Sequence, residues 1–175
     1  MILMPTQTDY AKAVSVLHGG AVEFIIVGGV AAVLHGLGFT TYDLDVVYAR
    51  NRENIRRLVQ CLEPYEPYLR GAPSGLPFRF DEATVRNGLN FTLTTAFGDL
   101  DLLGEVIGAG SYRDLLPHST EIQAFGVGCR CANLERLIQM KRAAGRPKDL
   151  EIIGQMQALL EERRRWPHAS REEAQ

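Results

Sequence analysis

The sequence predicts a mixed α/β (α+β) sheet flanked by helices, with a C-terminal helical appendage. Three observations carry this. Short β-branched or alternating runs recur through the first 131 residues. The helices between them do not alternate regularly with the strands, which argues against a doubly wound parallel sheet. From Asn133 onward the pattern is helical only.

The elements follow in order. Asp9 is an N-cap for a first helix over Tyr10 to His18. Phe24-Ile25-Ile26-Val27 is short and apolar and predicts a buried strand, ended by Gly28-Gly29. Val30 to Leu37 reads as a helix closed by Gly36 and Gly38. Asp43 to Tyr48 alternates and then turns wholly apolar, a second strand. Asn51 caps a helix ending near Leu62, and Pro64 and Pro67 stop it. Gly71 to Pro77 is a loop. Asn90–Thr95 and Asp99–Leu103 form a strand pair turning at Phe97-Gly98, and 122–125 with 127–131 form a further hairpin. Asn133 caps a helix through Ala144, Gly145 ends it, and Pro147 opens the last one. Leu150, Ile153, Gln157 and Leu160 lie on one stripe of that helix with Met156 beside it, and Trp166 is expected to anchor the polar tail. One domain is expected over residues 1–165, with its core over 10–131, helices over 133–165 and a tail over 166–175.

Composition narrows the function. Of 175 residues, 46% are hydrophobic and 23% charged, which excludes a wholly disordered chain. No apolar run approaches the roughly 18 residues of a membrane span, and the first residues lack the basic start of a secretory signal. A cytoplasmic protein without a membrane partner is expected. The net charge of −2 disfavours a globally basic nucleic-acid binder. Cys61, Cys129 and Cys131 have neither redox nor zinc spacing.

The chemistry concentrates between Val27 and Val47. A Gly-Gly pair leaves a strand and enters a helix, where backbone N–H groups can approach a phosphate. Asp43-Leu44-Asp45 then places two carboxylates on one strand face. At about 4 Å and an effective dielectric near 20 their repulsion is roughly 4 kcal/mol. A raised pKa, a basic partner or a bound cation must offset it. Gly98-Asp99-Leu100-Asp101-Leu102-Leu103 repeats the pattern, and periodicity alone does not choose between Asp99 and Asp101. Residues 130–148 carry six basic side chains against Glu135, whereas 81–121 carry seven acids against two arginines. Such segments folded together form a clamp for a polyphosphate. Lys141, four residues after Leu137, lies on the stripe expected to face inward and is preferred to Arg142 as the cation there.

Gly28-Gly29 with Asp43-x-Asp45 resembles the signature of the nucleotidyltransferase superfamily, the polymerase-β-like fold. The run from Gly29 through His35-Gly36 to Asp45 is most similar to small bacterial members, including toxins of abortive-infection and toxin–antitoxin systems. So is Lys141-Arg142…Arg146-Pro147-Lys148-Asp149-Leu150. Many such relatives carry an arginine between the helix and the aspartates; Gly38-Phe39-Thr40-Thr41-Tyr42 carries none. The resemblance implies an enzyme that moves a nucleoside monophosphate from a nucleoside triphosphate to a hydroxyl acceptor. That acceptor would be an RNA end such as tRNA, a protein or a small molecule. It implies Mg²⁺ or Mn²⁺ on Asp43, Asp45 and a third acid, for which it favours Asp101. It also implies nucleotide contacts from Gly28, Gly29 and Lys141, and an antitoxin partner. A non-catalytic nucleotide- or partner-binding member of the same fold is the alternative. His35 reads as a structural histidine, and Arg163-Arg164-Arg165 as a solvated helix end.

Overall fold

The computed structural model describes residues 7–167. In chain order the elements are α1 (Tyr10–Gly19), β1 (Phe24–Val27), α2 (Gly28–Leu34), β2 (Asp43–Tyr48), α3 (Arg52–Leu62), β3 (Tyr68–Leu69), α4 (Glu82–Asn87), β4 (Asn90–Thr95) and β5 (Gly98–Leu103). Then come β6 (Glu105–Val106), β7 (Gly110–Ser111), α5 (Tyr112–Leu115), β8 (Ser119–Ala124), β9 (Val127–Ala132), α6 (Leu134–Ala144) and α7 (Leu150–Arg165). The expected tail beyond Pro167 lies outside the described residues.

Seven strands form one mixed sheet in the order β3-β4-β5-β2-β1-β9-β8, and β6 and β7 make a separate two-stranded ribbon. β2 runs parallel to β5 and β1 parallel to β9; the remaining pairs of the large sheet are antiparallel. Leu44, Val46, Leu100 and Leu102 alternate with the acidic positions of β2 and β5 and are fully buried. Each contributes roughly 1.5–3 kcal/mol by leaving water. This is what pins the register, because a one-residue slip would bury the carboxylates and expose the leucines. Helices α1, α3 and α4 pack on one another, and α2, α6 and α7 form a second group.

The caps predicted at Asp9, Asn51 and Asn133 are made: each side chain accepts from a backbone N–H three residues on. Four details differ from expectation. Helix α2 begins at Gly28 and stops at Leu34, where the Leu37 N–H returns to the Ala32 carbonyl. The last α-helix begins at Leu150, preceded by a 3₁₀ turn over Pro147–Asp149. Its buried residues are Ile152 and Met156; Ile153 and Leu160 of the predicted stripe are partly buried against the core, while Leu150 is 70% exposed. Trp166 is 68% exposed rather than packed into the domain. Among the described residues no helix is long and apolar enough to cross a membrane.

Candidate active site

The two Asp-Leu-Asp segments lie side by side. β2 and β5 pair in parallel without offset, so Asp43 faces Asp99 and Asp45 faces Asp101. Four carboxylates thus occupy neighbouring positions on one face of the sheet. One oxygen from each of Asp43, Asp45 and Asp101 falls within 4.8 Å of the others. Asp99 is committed elsewhere: Thr94 Oγ1 donates to its Oδ1 at 3.0 Å, and Arg70 Nε lies 3.2 Å from its Oδ2. The geometry therefore sides with Asp101 as the third acid. Thr8 ties both strand starts together, since its hydroxyl donates to the Tyr42 carbonyl and accepts from the Asp99 N–H.

Arg70, just beyond the short edge strand β3, was not foreseen. Its backbone N–H donates to the Thr92 carbonyl on β4, and its guanidinium reaches back over that strand. One Nη donates to Asp101 Oδ1 at 2.7 Å and to the Leu93 carbonyl at 3.0 Å; the other lies 3.5 Å from Asp43 Oδ2. Nε is buried, and its approach to Asp99 is an ion-pair contact without hydrogen-bond alignment. A single guanidinium thus touches three of four carboxylates and leaves Asp45 out. Burial, followed by the charges of Asp43 and Asp101, pushes the Asp45 pKa up to about 8. Burial also raises Asp101, against the lowering pull of Arg70. Burial and the adjacent carboxylates therefore favour the protonated form of Asp45 beside Asp101.

The cations predicted from the C-terminal segment face this acidic face. Lys141 Nζ lies 3.2 Å from Asp149 Oδ1, Arg146 Nε lies 2.8 Å from Asp149 Oδ2, and Lys141 also stands 5.7 Å above the Phe39 ring. Burial alone would raise Asp149, but the hydrogen bonds from Arg146 and Lys141 outweigh it and hold its pKa below the usual range. Arg142 is exposed and does not line the cleft, whereas Lys141 does.

Gly28 and Gly29 close the remaining side. Gly28 has φ +67°, and a Cβ there would strike the Asp45 carboxylate. A Cβ on Gly29 would lie 2.6 Å from Thr41 Oγ1. Gly28, Gly29, Asp43, Asp45, Asp101 and Lys141 all line one cleft of about 440 Å³, together with Tyr42, Arg146, Lys148 and Asp149. A larger cavity of about 490 Å³ lies at the other end of β2, around Tyr48 and Arg50. Arg50 there is spent on the carbonyls of Val85, Arg86 and Gly88, and the cavity's other arginine, Arg113, shares its wall with Glu23 and Glu105.

His35 is structural, as read: Nε2 meets the Ala132 carbonyl at 2.8 Å and Nδ1 meets Arg163 at 3.0 Å. Because Arg163 can only donate, Nδ1 accepts and Nε2 carries the hydrogen. Arg163 is accordingly not part of a solvated helix end; it also donates to the His35 carbonyl and fastens α7 to α2.

No protein-family model matches the sequence, and no curated protein does. Among solved structures, the chain is similar to a Thermotoga maritima protein provisionally assigned as a nucleotidyltransferase. The TM-score is 0.51 and the identity 13%, over 86% of this chain and 95% of that one. At that identity the likeness establishes the fold: this chain has a nucleotidyltransferase-like mixed sheet flanked by helices.

Proposed function

We propose that the protein is a nucleotidyltransferase that moves a nucleoside monophosphate from a nucleoside triphosphate to a hydroxyl acceptor. The observation that carries this reading is the convergence of Asp43, Asp45 and Asp101 oxygens within 4.8 Å, in a cleft that also holds Lys141, Arg146 and Lys148. Hard carboxylate oxygens suit Mg²⁺ or Mn²⁺, which commonly pairs one or two carboxylates with substrate phosphates. Burial, with the neighbouring charges of Asp43 and Asp101, raises the Asp45 pKa in the same site. Bound there, a divalent ion would neutralise charge on the transferring phosphoryl group.

The chain's own residues do the rest. Lys141 and Arg146 hold the β- and γ-phosphates as they turn from Asp149. Gly28 and Gly29 let the triphosphate approach the backbone. Asp101 accepts the proton of the acceptor hydroxyl as its oxygen bonds to the α-phosphorus and pyrophosphate departs in line. The acceptor class is an RNA end such as tRNA, a protein or a small hydroxylated molecule. The toxin reading, with an antitoxin partner in the cytoplasm, rests on the sequence resemblance alone; growth arrest on induction, relieved by Asp45→Asn, is its test.

A specific observation favours a second reading, a nucleotide- or partner-binding module. Arg70 already partners three carboxylates, and Asp149 already partners Lys141 and Arg146. Incubation with α-³²P-labelled triphosphates, Mg²⁺ or Mn²⁺ and cellular RNA or protein separates the two. Label transfer lost in Asp45→Asn supports the enzyme, and no transfer with any triphosphate or acceptor pool supports the module.

A further inference from the structure

We propose that Arg70 is the resident counter-cation of the carboxylate cluster, competing with the divalent ion for Asp43 and Asp101, so that ion and nucleotide are taken up together. The proposal deepens the transferase reading and rests on it.

The guanidinium is placed by the fold. Its backbone N–H is fixed by the Thr92 carbonyl and one Nη by the Leu93 carbonyl, so β3 and β4 deliver it over the acids. The contacts to Asp43, Asp99 and Asp101 measure 3.5, 3.2 and 2.7 Å, and the side chain is 26% exposed. An arginine remains charged at any pH the protein tolerates. Two of the three carboxylates it touches are ones whose oxygens converge with Asp45.

Two effects of such a residue oppose each other. As an orienting partner it would strengthen ion binding, and losing partners of that kind typically lowers metal affinity 10–100-fold. As a fixed positive charge in direct contact with the same carboxylates it repels a dication, an interaction that grows as the charges approach and the dielectric falls. Repulsion wins here, because the charge product is doubled for a dication and the contact to Asp101 is direct. Arg70 also consumes one oxygen each of Asp43 and Asp101. A triphosphate reverses the balance, since its oxygens offer the guanidinium a bidentate partner and release the carboxylates. By linkage, nucleotide and ion then tighten each other's binding.

The test is Mn²⁺ titration by calorimetry and electron paramagnetic resonance, with and without a non-hydrolysable ATP analogue. It uses the wild-type chain, Arg70→Gln and Arg70→Lys. Wild type should bind Mn²⁺ at least about tenfold tighter with the analogue than without it. Arg70→Gln should bind Mn²⁺ alone at least about tenfold tighter than wild type and lose most of that coupling; Arg70→Lys should stay within about threefold of wild type. Unchanged or weaker Mn²⁺ binding by Arg70→Gln overturns the proposal. Should that variant not fold, wild-type affinity that ignores the analogue overturns it equally. Either result leaves the transferase reading standing, whereas absence of Mn²⁺ binding in every chain, with and without the analogue, overturns both.

Discussion

Two charge clusters face each other across the cleft with inverse stoichiometry. On the sheet, four aspartates stand against one guanidinium, which touches three of them and leaves Asp45 out. On the helical side, one aspartate, Asp149, holds two cations, Lys141 and Arg146. Burial pushes the pKa of Asp45 and of Asp149 upward, yet the two shift in opposite directions, Asp45 to about 8 and Asp149 below its ordinary value. Burial is the largest cause at both; the Asp43 and Asp101 charges add to it at Asp45, whereas the hydrogen bonds from Arg146 and Lys141 outweigh it at Asp149. One side of the cleft lacks positive charge and the other carries a surplus, the arrangement that a metal–polyphosphate complex complements.

The sharpest break in this comparison is Asp45→Asn. It removes an ion ligand that supplies several kcal/mol to the transition state, so nucleotide transfer should fall by about 10³-fold or more. The same variant should raise metal-free thermal stability at pH 8, because a poorly compensated carboxylate is gone. Loss of both activity and stability would instead mark Asp45 as a structural acid. Asp149→Asn should act oppositely. It leaves Lys141 and Arg146 facing each other across a buried amide and should cost about 2 kcal/mol in denaturant unfolding. A loss near zero would show that the Asp149 cluster adds nothing to the fold.

The pH dependence separates the clusters by sign. The folded-state pKa of Asp45 lies above its unfolded value, so folding favours its protonated form. Its contribution is fully present below about pH 4 and is lost as pH rises toward 8. Asp149 has a depressed pKa, so its contribution is present above about pH 4 and lost as pH falls below it. Metal-free melting temperatures should therefore decline between pH 5 and 8 in wild type, and the decline should flatten in Asp45→Asn. Trp166→Ala is the smallest expected effect, within about 0.5 kcal/mol by the same unfolding measurement, because the ring is largely in solvent.

Much of this was legible in the sequence. Residues 24–27 and 43–48 are strands as read, since β-branched apolar runs and a carboxylate–leucine alternation are strong local signals. The repeat Asp-Leu-Asp was visible too, but its in-register pairing is not a local property. Read separately, Asp99 and Asp101 looked like alternatives; paired with β2, Asp101 joins the cluster and Asp99 goes to Thr94 and Arg70. Arg70 carried no signal, because β3 is two residues long and shows no periodicity. Helix α2 was misplaced for a physical reason. Glycine is a poor helix former, yet Gly28 and Gly29 form the first turn of α2, where Asp45 and Thr41 come too close to admit a Cβ. In α7 the buried face centres on Ile152 and Met156, with Ile153 and Leu160 of the predicted stripe partly buried beside them and Leu150, next to the 3₁₀ turn, in solvent.

The central claim is that Asp43, Asp45 and Asp101 together hold one divalent ion beside a triphosphate. A crystal structure with Mn²⁺ and a non-hydrolysable triphosphate, read by anomalous scattering, addresses it directly. The account predicts a manganese peak bonded to oxygens of all three aspartates, with the γ-phosphate reaching toward Lys141 and Arg146. A triphosphate bound elsewhere, or a cleft in which Arg70 keeps its contacts and no peak lies among the three carboxylates, would contradict it.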